Sequence, residues 1–223
     1  MRKSSWSPPS DISPQELLVV ASSSHFFDPG FVQDIELPEE WGLDITCRFS
    51  SDHSLMQEAN ALWFHGPSIR TLPEKLPQQK WIVMSMESAV NYPFLKEKQA
   101  MALFDIHMTY QLDSDVPVAY PNWTEYGGFM EEPAPLHVKN DMNSIALYVA
   151  SNPISYRDDY VSELMEYINV DSVGKCLNNK TISGISRGTE GQGESRYPDL
   201  TSLIRNYKFY LAFENSCSRD YVT

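Results

Sequence analysis

A carboxylate, Glu87, directly follows the apolar segment from Trp81 to Met86. If this segment is a strand of an open α/β sheet, Glu87 lies at its carboxyl end, where ligands collect in such sheets. A carboxylate at that place can act as a general base and remove a proton from a substrate. An ordinary alternative stays open, in which Glu87 caps the next helix or is a surface acid.

A second polar group follows another apolar segment, which ends at Ala150. Ser151 and Asn152 come next, and Arg157 lies near the beginning of the following helical segment. A helix N-terminus with an arginine is a ready anion site that suits a pyrophosphate. The alternative is an ordinary helix cap with an exposed arginine. The sequence has neither GxGxxG nor GxxxxGK[ST], so it contains no dinucleotide fingerprint and no P-loop.

Glu214 and Asn215 form the third group, directly after the segment from Tyr207 to Phe213. A carboxylate can accept hydrogen bonds from sugar hydroxyls, and an amide can both donate and accept them. A turn that ends the strand is the alternative. The carboxyl ends of parallel strands share one edge of a sheet, so polar groups after several strands favour a ligand site.

Metal-binding patterns are weak in this chain. Asp113-Ser114-Asp115 imitates an Asp-x-Asp metal motif, but it lies in an irregular region near Pro117, where a turn is the favoured interpretation. The five histidines show no HExxH-type spacing and are interpreted as structural or surface residues. We therefore assign no metal ligands.

The elements that must position these groups alternate between strands and helices. Apolar runs predict strands, and amphipathic or capped segments predict helices. The predicted strands are Leu17 to Ala21, Ala61 to Phe64, Trp81 to Met84, Asp105 to Tyr110, Ser144 to Ala150 and Tyr207 to Phe213. The predicted helices are Ser51 to Ala59, residues 92 to 103 and Asp158 to Ile168. This alternation indicates βαβ units and a parallel sheet in an α/β fold.

Proline and glycine divide the chain into predicted domains. Residues 1–14 are rich in Ser and Pro and are predicted to be a disordered leader. Residues 113 to 141 interrupt the strand–helix rhythm with several prolines. We therefore predict a first domain over residues 15–138 and a second over residues 139–223. Residues 178 to 197 are polar and Gly-rich and predict a mobile loop.

Composition excludes some classes of function. The formal net charge is −13, with 30 acidic and 17 basic side chains, and no cluster of basic residues suggests nucleic-acid binding. The chain has three cysteines and no CxxC pair. It has no window with the ~18 apolar residues of a membrane span. The sequons at Asn122 and Asn179 are by themselves weak evidence for the secretory pathway.

Four ordered blocks carry a family resemblance. The segment Phe209 to Ser216, FYLAFENS, followed by Asp220-Tyr221-Val222-Thr223, is similar to the signature of α1,3-fucosyltransferases of glycosyltransferase family 10. Three more blocks agree in order and approximate spacing. They are Trp81 to Tyr92 (WIVMSMESAVNY), Phe104 to Tyr120 (FDIHMTYQLDSDVPVAY) and Ala146 to Cys176. The chain thus resembles the catalytic region of these Golgi enzymes.

The resemblance implies a GT-B architecture of two Rossmann-like domains, one for the acceptor and one for GDP-fucose. It implies an inverting transfer from GDP-β-L-fucose to a GlcNAc residue of an N-glycan core or a lactosamine-type glycan. Glu87 matches the general base and Arg157 the contact to the donor diphosphate. Further donor-site positions implied by the family's motifs are Ser151, Asn152, Glu214, Asn215 and Tyr221. No cofactor is implied, and a divalent metal would at most stimulate the reaction.

The family also implies a type II Golgi membrane protein, although no anchor is visible in this sequence. The signature continues with Glu-Lys in that family, so we expect a C-terminally truncated chain with an incomplete second domain. Gln111 and Leu112 stand where many Lewis-type members have two arginines. The sequence around Glu87 and Val116 resembles that of plant-like core α1,3-fucosyltransferases. The alternatives are an inactive remnant that binds a glycan or a partner, and a GT-B enzyme for another nucleotide sugar.

Overall fold

The computed structural model describes residues 15–22, 31–36, 45–120, 132, 134–139, 143–181 and 198–221. The chain forms two compact units. The first unit comprises Met1–Asn122 and Ser216–Thr223, and the second unit comprises Trp123–Asn215. The predicted leader, the Asn122 sequon and residues 182–197 of the predicted loop lie outside the described residues. The domain boundary at residues 138 and 139 stays a prediction.

The first unit contains a seven-stranded sheet in the order β2-β3-β1-β4-β5-β6-β7. All neighbouring strands are parallel except β2 and β3, which are antiparallel. The strands are β1 (Gln15–Ala21), β2 (Val32–Glu36), β3 (Ile45–Ser50), β4 (Ala61–His65), β5 (Lys80–Ser85), β6 (Ile106–Thr109) and β7 (Val116–Pro117). This sheet confirms the α/β prediction and is consistent with a Rossmann-like unit of a GT-B fold.

The centre of this sheet is apolar because its strands are covered on both faces. Leu62 and Phe64 of β4 are each 1% exposed, and Val83 of β5 is fully buried. The ring centroids of Phe64 and Trp81 lie 5.0 Å apart, and those of Phe64 and Phe104 lie 5.5 Å apart. Such aromatic pairs add stabilisation beyond the area that they bury, so this cluster fixes β4 against β5.

The two helices predicted in the first unit are much shorter than expected. Ser51 to Ala59 contains only a 3₁₀ turn at His53–Leu55, capped by the Asp52 side chain, which accepts a hydrogen bond from Ser54 N at 2.9 Å. Gln79 Nε2 donates to the carbonyls of Met56 and Ala59 at 2.8 and 3.0 Å. These carbonyls therefore bind a side chain instead of continuing a helix.

The predicted helix over residues 92 to 103 is likewise divided. A 3₁₀ turn at Pro93–Lys96 precedes the short helix α1 (Lys98–Met101). Glu97 separates them with an extended backbone, at φ −76° and ψ 102°. One extended residue prevents the i→i+4 hydrogen bonds from running through the segment.

The second unit contains a three-stranded parallel sheet in the order β10-β8-β9. Its strands are β8 (Ala146–Tyr148), β9 (Val170–Ser172) and β10 (Phe209–Tyr210). Its helices are α2 (Ser155–Leu164) and α3 (Pro198–Ile204). The sequence predicts longer versions of β8 and β10, and it does not predict β9 or α3. Helix α2 begins three residues before the predicted start because the Asp158 side chain accepts a hydrogen bond from Ile154 N at 3.0 Å.

The predicted apolar face of α2 is only partly buried. Val161 is fully buried, whereas Tyr160 is 57% exposed.

In the described stretches, no helix has the length and apolarity to cross a bilayer.

Gly174 allows the chain after β9 to pass against the end of β8. A Cβ atom at this position would lie 2.1 Å from the carbonyl oxygen of Ala150. Cys176 N donates to that same carbonyl at 2.9 Å. The close backbone contact fixes the point where the chain leaves β8 for Ser151 and Asn152.

We expect Asp105→Asn to lower the free energy of unfolding by roughly 1 kcal/mol at neutral pH, as for a partly exposed charged contact. Asp105 accepts hydrogen bonds from Lys75 Nζ at 2.7 Å and Trp81 N at 2.8 Å. The Lys75 hydrogen bond and the Trp81 amide lower the pKa of Asp105 to about 2. This stabilisation is present above the ordinary carboxyl pKa of about 4 and is lost as the pH falls towards 2.

Urea unfolding at pH 7 and at pH 2.5 measures the effect. The difference between the two proteins should shrink at the lower pH. Asp34→Asn is the control, since Asp34 pairs with Arg48 on the surface and should matter much less. An Asp105→Asn protein as stable as the parent at pH 7 would contradict the prediction.

Candidate active site

Glu87 lies in a bend two residues after the end of β5, close to the strand end at which the sequence predicts it. The Ser85 hydroxyl at the end of β5 accepts a hydrogen bond from Glu87 N at 3.1 Å and donates to Glu87 O at 2.9 Å. Ser85 is fully buried. The backbone of Glu87 is therefore fixed to a rigid strand, and its side chain begins from a defined position.

A cavity of about 350 Å³ lies beyond the ends of β5 and β6 in the first unit. This volume is within the usual range of small-molecule sites. Its lining carries charges of both signs, contributed by Glu87, Lys96, Lys98, Asp113 and Asp115. Such a lining offers many hydrogen-bond donors and acceptors to a hydroxyl-rich ligand.

Tyr221 binds the carboxylate of Glu87. Its hydroxyl donates to Glu87 Oε2 at 3.0 Å, and the tyrosine is 2% exposed. Burial, followed by the neighbouring Tyr120 and Glu87, raises the pKa of Tyr221 far above its ordinary value. The hydroxyl thus keeps its proton and acts as a donor. Among the described residues, Glu87 Oε1 has no hydrogen-bond partner.

Two further tyrosines surround this contact. The ring of Tyr221 meets the rings of Tyr110 and Tyr120 edge-on, with centroids 5.1 and 5.6 Å apart. The Tyr120 hydroxyl donates to Met86 O at 2.7 Å. Tyr110 and Tyr120 lie in the block from Phe104 to Tyr120, but the sequence assigns them no role, because single tyrosines after strands carry no distinctive spacing.

The segment Ser216–Tyr221, which we call the signature-end segment, belongs to the first unit although it follows β10 of the second unit in sequence. Several side chains attach it there. The hydrogen-bonded pairs are Ser216 with Ser88, Ser218 with Tyr110, Asp220 with Leu112 N, and Arg219 with Asp113. Asp220 has a φ of 60°, which is uncommon for a residue other than glycine.

Arg157 is buried, not an exposed capping residue. It lies in the first turn of α2 and is 6% exposed. Its guanidinium donates to Asn152 O at 2.6 Å, Asn215 Oδ1 at 2.6 Å and Phe213 O at 3.3 Å. The segments that follow β8 and β10 are therefore joined through one side chain.

The buried Nε atom of Arg157 has no hydrogen-bond partner among the described residues. Asp158 Oδ1 is 3.8 Å away, an ion pair too long for a hydrogen bond. That oxygen accepts a hydrogen bond from the Tyr148 hydroxyl at 2.6 Å. The nearest carboxylate thus has another donor, and it does not satisfy the guanidinium.

The structure brings three of the predicted donor-site residues together, namely Asn152, Arg157 and Asn215. Ser151 is an exposed neighbour, and the backbone oxygen of Glu214 accepts a hydrogen bond from the Tyr156 hydroxyl at 2.6 Å. Tyr221 is in the first unit beside Glu87. The donor-binding roles of all six residues stay predictions.

The Asp-x-Asp sequence has separate structural contacts. Asp113 accepts a hydrogen bond from Arg219, which lowers the pKa of Asp113, and Asp115 accepts one from His107 N at 2.8 Å. Over the described ranges, no three His, Cys, Asp or Glu residues are arranged to hold a metal ion.

Comparison with protein families gives matches over most of the chain. Residues 25–121 match the family described as "Fucosyltransferase, N-terminal". Residues 136–223 match "Glycosyltransferase family 10 (fucosyltransferase) C-term". The chain belongs to glycosyltransferase family 10. Both matches agree with the family resemblance of the four sequence blocks.

Similar proteins carry names of two kinds. Alpha-(1,3)-fucosyltransferase B of Drosophila melanogaster is 27% identical over 201 residues, covering 82% of this chain and 45% of the fly protein. GDP-fucose protein O-fucosyltransferase 3 of Bos taurus is 33% identical over 192 residues, covering 79% of this chain and 39% of the bovine protein. The Danio rerio protein of that name is 31% identical over 189 residues, covering 79% of this chain and 41% of the fish protein. The chain spans less than half the length of these relatives.

We expect Arg157→Lys to destabilise the second unit by roughly 2 kcal/mol, because lysine keeps the charge but cannot reach three separate acceptors. Urea unfolding measures this loss, with a probe that reports on α2. Lys175→Arg is the control, since Lys175 is exposed and should tolerate the exchange. Equal stability of the Arg157→Lys protein and the parent would show that the three contacts contribute little.

Proposed function

We propose that this chain is part of an inverting α1,3-fucosyltransferase that moves fucose from GDP-β-L-fucose to a GlcNAc residue of a glycoprotein glycan. The observation that carries the proposal is the position of Glu87. Its carboxylate lines a polar cavity at the carboxyl ends of parallel strands and is held by Tyr221. Membership of glycosyltransferase family 10 supports the class of reaction.

The proposed reaction is a single displacement. The acceptor hydroxyl oxygen forms a bond to the anomeric carbon of fucose, while the bond from that carbon to the diphosphate oxygen breaks. The bonding electron pair leaves with GDP, and Glu87 takes the acceptor proton. A carboxylate can fill this role only when it is within hydrogen-bond reach of the hydroxyl. Glu87 lines the cavity, and its Oε1 has no hydrogen-bond partner among the described residues, which supports this assignment.

Arg157 is proposed to bind the donor diphosphate. Charge develops on the diphosphate as GDP leaves, and a fixed cation stabilises that charge. Three contacts orient the guanidinium, and its Nε–H is left without a partner among the described residues. Asn215, which accepts one of these hydrogen bonds, is proposed to act with it, alongside Asn152, Ser151 and Glu214.

A protein hydroxyl is a second candidate acceptor. Relatives named protein O-fucosyltransferase are 29 to 33% identical to this chain, against 27% for the fly α1,3-fucosyltransferase. A Ser or Thr hydroxyl and a sugar hydroxyl both need a base to remove one proton, so the proposed role of Glu87 is the same. An assay with GDP-fucose and a panel of N-glycan cores, N-acetyllactosamine and folded secreted domains distinguishes the acceptors.

The remaining family expectations are part of the proposal. We propose that the enzyme acts in the Golgi as a type II membrane protein and that the transfer requires no cofactor. Transfer measured with EDTA and with added Mn²⁺ tests the cofactor expectation. Complete loss of transfer in EDTA would contradict it.

Glu87→Gln is expected to reduce turnover by roughly 10²–10⁴, the usual contribution of acid–base catalysis. Glutamine keeps the shape of the side chain but cannot accept the proton. GDP affinity, measured by calorimetry, should barely change. Transfer from GDP-fucose to the best acceptor of the panel gives the turnover.

Glu58→Gln is the matched control for this variant. Glu58 is an exposed carboxylate of the same unit, outside the cavity lining, and its exchange should leave turnover normal. Near-normal turnover of Glu87→Gln at saturating acceptor would refute the proposed base. Asp113 and Asp115, which also line the cavity, would then be tested next.

Arg157→Ala tests the donor site. A charged hydrogen bond to phosphate contributes roughly 1.5–3 kcal/mol to binding. Without it, GDP and GDP-fucose should both bind about ten- to a hundredfold more weakly. Calorimetry with GDP measures this, on protein shown to be folded by circular dichroism. Unchanged GDP affinity in folded protein would exclude the contact.

A further inference from the structure

The sequon at Asn179 lies beside the outer edge of the three-stranded sheet in the second unit. Among the described residues, β9 is an outer strand of this sheet, which has the order β10-β8-β9. Val173 N, just after β9, donates to Tyr148 O of β8 at 3.2 Å. Backbone groups alternate in direction along a strand, so Val170 O and both backbone groups of Ser172 face away from β8. An edge strand leaves such groups to find partners elsewhere.

The side-chain amide of Asn179 bonds two of these edge groups. Its Oδ1 accepts a hydrogen bond from Ser172 N at 2.7 Å, and its Nδ2 donates to Val170 O at 2.8 Å. The backbone N–H of Asn179 donates to Ser172 O at 3.1 Å. Val170 is 4% exposed and Ser172 is fully buried, and a buried backbone group without a partner is costly. Asn179 therefore closes the edge of β9 in the manner of a short additional strand.

The turn that precedes Asn179 is attached to the same strand. Leu177 has a φ of 49°, which is uncommon for a residue other than glycine and reverses the chain. The Ser172 hydroxyl donates to Cys176 O at 2.7 Å. The return of the chain is thus tied to β9, and the position of the Asn179 side chain is fixed by its neighbours.

An N-linked glycan would take the hydrogen position that the edge contact uses. Glycosylation turns the Asn179 amide into a secondary amide, which is trans as the peptide bond is. The sugar carbon then lies on the same side of the amide as Oδ1. Val170 O and Ser172 N lie on one strand edge, so the donated hydrogen must also be on the side of Oδ1. The sugar and the edge contact therefore exclude each other.

We propose that Asn179 closes the edge of β9 with its side-chain amide and that the sequon there carries no glycan in the folded protein. Asn179 is exposed, so access from solvent does not prevent the modification. The engaged amide prevents it, and a sugar added before folding would keep the edge contact from forming. The inference is independent of the proposed fucosyltransferase activity.

The first test secretes the chain from cultured animal cells behind a signal peptide. Lys208→Thr is the matched control, because it creates a sequon at Asn206, an exposed residue of the same unit whose amide donates to Ser202 O at 3.2 Å. Mass spectrometry of peptides from the folded fraction, after enzymatic removal of glycans in heavy-oxygen water, measures occupancy. We expect a glycan at Asn206 in the control and an unmodified Asn179 in both proteins. A folded fraction with a glycan at Asn179 would overturn the inference.

The second test measures thermal unfolding of the chain made in bacteria, without glycosylation. Asn179→Asp keeps the acceptor for Ser172 N but has no hydrogen to donate to Val170 O. We expect the melting temperature to fall by about 3–10 °C, because a buried carbonyl loses its donor and faces a carboxylate. Asn206→Asp is the control on the surface and should shift the melting temperature much less.

Thr181→Ala separates the amide from the sequon. It removes the sequon and keeps Asn179, so the melting temperature and the glycan mass of the secreted chain should equal those of the parent. A lower glycan mass would mean that Asn179 had been modified and would reject the proposal. An Asn179→Asp protein as stable as the parent would also reject it.

Two remaining outcomes are decided by the same measurements. If Asn179→Asp does not fold whereas Thr181→Ala does, the amide is required for folding, as the inference expects. If neither Asn206 nor Asn179 carries a glycan, the comparison of melting temperatures decides.

Discussion

The parallel register of β4, β5 and β6 is the constraint on which the cavity beside Glu87 depends. Phe64 pairs with Val83, and Val83 pairs with His107, so these strands end at the same edge of the sheet. The buried aromatic cluster around Phe64 holds that register, since a shift by one residue would turn its rings to the opposite face. The cavity, Ser85 and Glu87 all lie where these strands end.

The sequence predicts the strands and the residues that follow them better than it predicts the rest. Apolar runs such as Leu62 to Phe64 are buried on both faces, and a short continuous apolar run indicates a strand of this kind. Strand β2 was missed because all five of its residues are exposed. The long helix predicted after Ser51 fails because Gln79, twenty or more positions away, binds its carbonyls. The contact of Tyr221 with Glu87 has no local signal at all.

The environment of Arg157 explains how one arginine could join two segments and still attract the anion proposed for it. The acceptors of its three hydrogen bonds are neutral, two backbone carbonyls and the amide oxygen of Asn215, while the Asp158 carboxylate lies farther away, 3.8 Å from Nε. Such groups orient a guanidinium without cancelling its charge, whereas a bidentate carboxylate would do both. Part of the positive field therefore remains beside the ion pair with Asp158, and burial strengthens it because the local dielectric constant is low.

Glu87 and Tyr221 are 134 positions apart in the chain, which has a consequence for biosynthesis. The strands of the large sheet leave the ribosome well before Tyr221 is made, and domains generally fold in the order of synthesis. Closing so long a loop is slow compared with pairing neighbouring strands. The Glu87 carboxylate should therefore gain its hydrogen bond from Tyr221 late, after the sheet that carries Glu87 has formed.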